Sequence, residues 1–300
     1  MNSNNKKFVI AYYRFGSKLK AKLKGIIDNW KIIPFILKRK KFNFNPVFII
    51  GCGRSGTSIL GNTLALHKSI CYLHERRDLW HKAYPELDIW SGKYKNPLLY
   101  VDEKHYDVSK TKKLRNIFFK EQVAGNCKVL LEKLPINSFR LKFLKACFPE
   151  AKYIYLHRNG LEVAESISKK IPISWYGKKN IKWNLLTAYG NENGLTYSNA
   201  ELASDLHKGI FEWRLSMEQS EAFFKTLSKE KFICISYKDL IENSFNTLSA
   251  IFNFLQLDTT EIFLKKLSAT LERKNRKIDQ IDDKITWKIG GDMLLQSLTK

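Results

Sequence analysis

The residues 48–58, FIIGCGRSGTS, bring Gly51, Gly53 and Gly56 together with Ser55, Thr57 and Ser58 at the end of an apolar run. An apolar strand that breaks into such a turn, followed by ILGNTLAL at helical spacing, cradles phosphate groups with backbone N–H donors and a helix N-terminus. The spacing from Gly51 to Gly56 fits the P-loop pattern, which then requires Lys and Ser or Thr. Here Thr57 and Ser58 follow, so the lysine that reaches the outer phosphates of a nucleoside triphosphate is missing. The loop is suited to binding phosphate and not to hydrolysing ATP.

Elements must position this loop. Short apolar runs alternate with helical patterns: PVFII before the glycines, KVLLE at 128–132, KYIYLH at 152–157 and KFICISY at 231–237. After the second run Phe139, Phe143 and Ala146 share a helix face, and after the third Leu161, Ala164 and Ile167 do so. Alternation of this kind predicts an α/β fold, a P-loop-like three-layer α/β/α arrangement on a central parallel sheet. Its ligands bind beyond the carboxyl ends of the strands. Residues 51–58, Glu132 with Lys133, and Arg158 are therefore expected on one edge. Residues 168–205, rich in Gly, Asn and aromatics and weakly periodic, read as an insertion or lid.

Charge and cysteine content narrow the class. The chain of 300 residues carries 52 Lys and Arg against 29 Asp and Glu, a net +23, which favours an anionic partner. Residues 1–41 hold twelve of the cations against the single acid Asp28, about half of that excess. We read residues 1–44 as a basic extension, either a solvated leader or an amphipathic segment lying peripherally on an anionic membrane surface, and 45–300 as one domain. No apolar run approaches the roughly 20 residues of a membrane span, and no secretion signal is evident. Cys52, Cys71, Cys127, Cys147 and Cys234 are odd in number and unpaired in pattern, which leads us to expect reduced thiols, a cytoplasmic location and no structural zinc. His67, His74 and His81 recur every seven residues without matching ligands, so no metal is expected.

The loop together with the ends of two later strands resembles the sulfotransferases that use 3′-phosphoadenosine 5′-phosphosulfate (PAPS). GRSGTS resembles their loop for the 5′-phosphosulfate. The resemblance implies that Arg54 contacts the sulfuryl end while Gly53, Ser55, Gly56, Thr57 and Ser58 supply the surrounding donors. YLHRNGLEVAES resembles their 3′-phosphate site and implies that Arg158 and Ser166 clamp that phosphate, although Asn159 and Gly160 depart from the frequent Arg-Asp-Pro start. LLEKLP resembles the segment whose lysine, here Lys133, stands near the oxygen bridging phosphorus and sulfur, where a cation stabilises the departing charge. CYLHERRDLW resembles the segment that bears a glutamate base, implying Glu75 in that role, with His74 as a rival base and Arg76 and Arg77 available to an anionic acceptor. ERKNRKIDQ falls where relatives carry a basic loop over the 3′ side, which makes Arg276 a further cofactor candidate. Trp213, Tyr237 and Leu240 match segments that pack.

The resemblance spans residues 46 to about 298 and implies transfer of a sulfuryl group from PAPS to an acceptor hydroxyl or amine. The product cofactor is 3′,5′-adenosine bisphosphate, and no metal takes part. A basic surface and an aromatic middle loop point to a glycan or glycolipid acceptor. Two other readings stand beside it. One is a P-loop nucleotide or small-molecule kinase, against which the missing lysine counts. The other is a non-catalytic basic binding module on a degenerate P-loop scaffold. Nucleic acid is not expected, because no RNA-binding or helix-turn-helix signature is present.

Overall fold

The computed structural model describes residues 44, 46–271 and 283–299. The chain divides into two units, residues 1–43 and 44–300. The basic extension and Arg276 lie outside the described residues.

Five strands form one sheet: β1 (Val47–Ile50), β2 (Ile70–His74), β3 (Val129–Lys133), β4 (Lys152–His157) and β5 (Phe232–Ser236). All pairings are parallel, in the order β2-β3-β1-β4-β5. β1 and β3 are buried on both faces, as a parallel sheet covered by helices requires. Alternation along each strand sends Phe48, Ile50, Leu130, Tyr153 and Tyr155 into one core and Val47, Ile49, Leu131, Ile154 and Leu156 into the other. Each core has its own helical layer, so the three-layer α/β/α architecture expected from the alternation is present.

The helices are α1 (Thr57–Leu64), α2 (Arg77–Ala83), α3 (Val108–Gly125), α4 (Leu141–Cys147), α5 (Gly160–Ser168), α6 (Pro172–Trp175), α7 (Ile181–Glu192), α8 (Asp205–Phe224), α9 (Tyr237–Glu242), α10 (Ser244–Phe254), α11 (Glu261–Ser268) and α12 (Lys284–Thr299). Local chemistry sets several starts. Asp107 accepts from Lys110 N at 2.7 Å to begin α3, and Ser204 accepts from His207 N at 3.0 Å to begin α8. Asn159 accepts from Leu161 N and Glu162 N at 2.9 and 3.2 Å to begin α5. Gly160 is packed so tightly that a Cβ would stand 2.6 Å from Leu294 and 2.9 Å from Trp213. Asn159-Gly160 therefore has a structural reason: one residue caps, and the other admits its neighbours.

Three features depart from the sequence reading. β2 is a strand that the alternation did not reveal. The weakly periodic segment 168–205 carries two helices, α6 and α7, that its sequence did not single out. Cys71 and Cys127 form a disulfide, which corrects the expectation that every thiol is reduced, while Cys52, Cys147 and Cys234 are free. Among the described residues no helix is long and apolar enough to cross a membrane.

Candidate active site

The loop after β1 turns into α1 through two left-handed residues, Arg54 at φ 74° and Gly56 at φ 99°. A Cβ at Gly56 would stand 2.4 Å from the Tyr237 ring, so both conformation and space demand glycine. Ser55 N donates to Cys52 O at 3.1 Å and closes the turn. α1 has no side-chain cap and no acidic residue in its first turn, which leaves its first N–H groups facing outward for an anion. The fully buried Ser55 Oγ has no partner among the described residues. An uncapped helix start and an orphaned hydroxyl in one loop fit a phosphate-bearing cofactor.

Lys133 ends β3, level with Ile49 of β1 and His74 of β2. Its ammonium is fully buried and donates to Ser58 Oγ at 2.7 Å and to Glu75 Oε1 at 2.6 Å. Glu75 N donates to Lys133 O at 3.0 Å, which extends the β2–β3 ladder by one bond. The chain then turns at Glu75, a left-handed residue at φ 50°. Such a backbone costs a non-glycine residue about 1 kcal/mol or more and tends to mark working sites. Burial alone would push the Glu75 carboxyl up, but Lys133, Arg77 and His74 together outweigh it and hold the group below its ordinary value. Burial likewise draws the Lys133 ammonium down, against the pull of Glu75. The two shifts oppose each other, and the 2.6 Å contact is that of a charged pair.

Around this pair, His74 Nε2 lies 3.4 Å from Ser58 Oγ. Arg77 sits 3.6 Å from Glu75 and stacks over Trp90 at 3.8 Å. Arg76 is turned elsewhere, bonding Asp78 at 2.8 and 2.9 Å and lying 3.8 Å from Glu121.

Arg158 follows β4. It pairs with Glu162 at 2.5 Å, donates to the Arg54 carbonyl at 3.2 Å and lies over the Tyr237 ring at 4.0 Å. Trp213 Nε1 donates to the Arg158 carbonyl at 3.2 Å. Arg54 Nε donates to Ser166 Oγ at 3.0 Å. Arg54, Arg158 and Ser166 thus form one cluster. The Arg54 Nε meets Ser166, one of the two residues expected to hold the 3′-phosphate.

Several side chains at the site were not singled out by sequence reasoning. A cavity of about 50 Å³ is lined by Glu75, Arg77, Trp90, Trp175, Lys182 and Glu212, among others. A Cβ at Gly53 would stand 2.4 Å from the Trp175 ring. Trp175 Nε1 donates to Glu212 Oε2 at 2.8 Å, and Lys182 Nζ to Glu212 Oε1 at 2.6 Å. Tyr237, expected only to pack, meets both Gly56 and Arg158. The aromatic content of the middle segment was the one local signal for Trp175, while Lys182 and Glu212 belong to no motif. Among the described residues no group of His, Cys, Asp and Glu is placed to hold a metal ion. His67 is spent on Asp258 O at 3.1 Å, and His81 lies 3.7 Å from Asp88.

A phosphate loop at the end of the central strand, flanked by cations from the strands on either side, defines a P-loop-like transferase. A sulfotransferase from Mycobacterium avium has the same fold, with a TM-score of 0.53 at 12% identity over 88% of this chain and 80% of that one. The sulfotransferase domain from the curacin biosynthetic pathway aligns at 18% identity over 84% of this chain and 98% of its own, with a TM-score of 0.49. That of the Synechococcus PCC 7002 olefin synthase aligns at 19% over 86% and 96%, with a TM-score of 0.48. No curated protein matches the sequence. The chain belongs to the Sulfotransferase family, whose pattern it matches over residues 46–261, and it is an enzyme of sulfuryl transfer.

Proposed function

We propose that the donor is PAPS and that the acceptor is a hydroxyl on a glycan or glycolipid. The observation that carries the donor is the contact of Lys133 Nζ with Ser58 Oγ at 2.7 Å. Ser58 occupies the position whose hydroxyl meets Mg²⁺ in ATP-binding P-loops. Here a buried ammonium meets it instead, which supports a donor with a diphosphate-like arm and disfavours the kinase alternative.

PAPS supplies the transferable sulfuryl group on a phosphate leaving group. The chain's own residues divide the remaining work. The loop N–H groups with Ser55, Thr57 and Ser58 bind the 5′ arm. Arg158, Ser166 and Arg54 hold the 3′-phosphate, a place we give Arg54 because its Nε lies on Ser166. Lys133 donates to the bridging oxygen as the S–O bond to phosphate breaks and the S–O bond to the acceptor forms. Glu75 takes the acceptor's proton. Lys133 begins on Glu75, so turning toward the leaving oxygen withdraws its charge from the carboxylate and raises that carboxylate's proton affinity as the proton arrives. His74, 3.4 Å from Ser58 Oγ, is the lesser candidate for base. Arg77 offers a charge for an anionic substituent of the acceptor.

Calorimetric titration with 3′,5′-adenosine bisphosphate, with AMP and with ATP plus magnesium tests the donor. Selective, magnesium-independent binding of the bisphosphate is expected. Tighter binding of ATP with magnesium refutes the reading.

A further inference from the structure

The wall of the cavity opposite Glu75 is not made by the strands that carry the catalytic pair. It is made by the segment between α5 and α8, through Trp175 at the end of α6 and Lys182 in the first turn of α7. Both side chains end on one residue of α8: Glu212 gives one carboxylate oxygen to the Trp175 indole N–H and the other to the Lys182 ammonium. Lys182 also lies over the Trp175 ring at 4.2 Å. The Lys182 and Glu212 side chains are only 6% and 5% exposed. A buried ion pair adds little stability over a well-packed apolar pair of the same size, but its geometry permits few alternatives. Here the arrangement it specifies is an indole pressed onto Gly53 of the phosphate loop.

The space left is small. The cavity of about 50 Å³ is about a third of the roughly 150 Å³ in which an engineered apolar cavity takes up benzene. It suits a group of a few non-hydrogen atoms, such as a hydroxymethyl, better than a six-membered ring. Glu75 and Arg77 line this space together with Trp175, so a group placed in it meets the carboxylate and the indole together.

We propose that Trp175, positioned by Glu212 and Lys182, determines acceptor specificity by admitting a protruding primary hydroxyl to Glu75 and shutting out a phenolic or other aromatic ring. This rests on the sulfotransferase reading above and narrows it to acceptors whose hydroxyl stands on a thin arm.

The test is calorimetric titration of 1-naphthol into the full chain saturated with 3′,5′-adenosine bisphosphate. Wild type is expected to show no naphthol binding, and Trp175→Ala to bind it roughly ten-fold or more above the detection limit. Trp175→Phe, which refills the space without the indole N–H, is expected to restore exclusion. Glu212→Gln keeps the side-chain volume but removes the charge and leaves one acceptor oxygen for the two donors Trp175 and Lys182, so it is expected to bind naphthol between wild type and Trp175→Ala. It carries the same test should Trp175→Ala not fold. Naphthol binding to wild type as tight as to Trp175→Ala overturns the proposal, as does its absence from both Trp175→Ala and Glu212→Gln. Failure of wild type to bind the bisphosphate is read before naphthol is added and refutes the cofactor reading instead.

Discussion

Lys133 and Glu75 lie 58 residues apart in sequence and meet at 2.6 Å, because β2 and β3 pair with His74 level with Lys133. The ladder bond from Glu75 N to Lys133 O holds the backbones, and the left-handed turn at Glu75 brings its carboxylate back over the end of β3. Strand register thus places the ammonium, and the turn that follows β2 places the carboxylate.

Removing either partner should affect the chemical step. Lys133→Met is expected to lower kcat by about 10²- to 10³-fold and Glu75→Gln by about 10²- to 10⁴-fold, with binding of 3′,5′-adenosine bisphosphate still measurable in Glu75→Gln. Lys133 is the main group holding the Glu75 carboxyl down against burial. The acid limb of kcat/KM should therefore lie below the usual carboxylate value of about 4.3 in wild type and move to higher pH in the residual activity of Lys133→Met. A limb that stays put in the variant would assign it to another group.

The cluster of Arg54, Arg158 and Ser166 should discriminate among adenine nucleotides. Arg158→Ala is expected to weaken the bisphosphate by roughly 1.5–3 kcal/mol, the scale of a hydrogen bond to a charged group, and to leave AMP affinity nearly unchanged. Ser166→Ala should act in the same direction with a smaller effect. Equal losses for both nucleotides would place Arg158 on the 5′ side.

Glu132 gives a prediction about stability. It is fully buried beside Trp80 and Asn137, at 3.1 Å from each. Burial pushes its carboxyl up to about 8. An acid raised on folding contributes most stability below its unfolded value, loses it as pH rises toward the folded value, and changes nothing further above that. Asn137 Oδ1 has no partner among the described residues, so an amide flip would let Glu132→Gln donate to Asn137 while still accepting from Trp80. Urea melts should find this variant within about 1 kcal/mol of wild type at pH 5 and less sensitive to pH between 5 and 8. A variant with unaltered pH dependence would show Glu132 to be ionised throughout.

The Cys71–Cys127 bond closes a loop with a sequence separation of 56. On the chain-entropy account a loop of that length is worth about 4 kcal/mol. Dithiothreitol, or Cys71→Ser with Cys127→Ser, should therefore lower the urea midpoint clearly. An unchanged midpoint would mean that the purified protein carries two free thiols there.

The catalytic edge was legible because its signals are local. The glycine loop, a lysine closing one apolar run and an arginine closing another can each be read in a window of a few residues, and a parallel sheet then brings them together. β2 escaped notice because ICYLH is short, half exposed and flanked by polar residues. α7 escaped because Lys182 is buried on it while Trp183 is only half buried, which blurs the helical period. The triad of Trp175, Lys182 and Glu212 has no joint sequence signature beyond the aromatic content of the middle segment, since its members touch only after that segment folds back on α8. The place of Arg54 at Ser166 was likewise unreadable, because a motif gives a residue's backbone position and not the direction of its long side chain.

The division of the site between strand ends and the 168–205 segment bears on how such enzymes diversify. On the proposed reading the groups that move the sulfuryl group stand at the strand ends, whereas the residue proposed to face the acceptor arrives on one contiguous stretch of chain clasped by a single carboxylate. Exchange or drift of that stretch could redirect the enzyme to a new acceptor without disturbing Lys133 or Glu75, so lineages sharing one reaction would diverge first, and furthest, between α5 and α8.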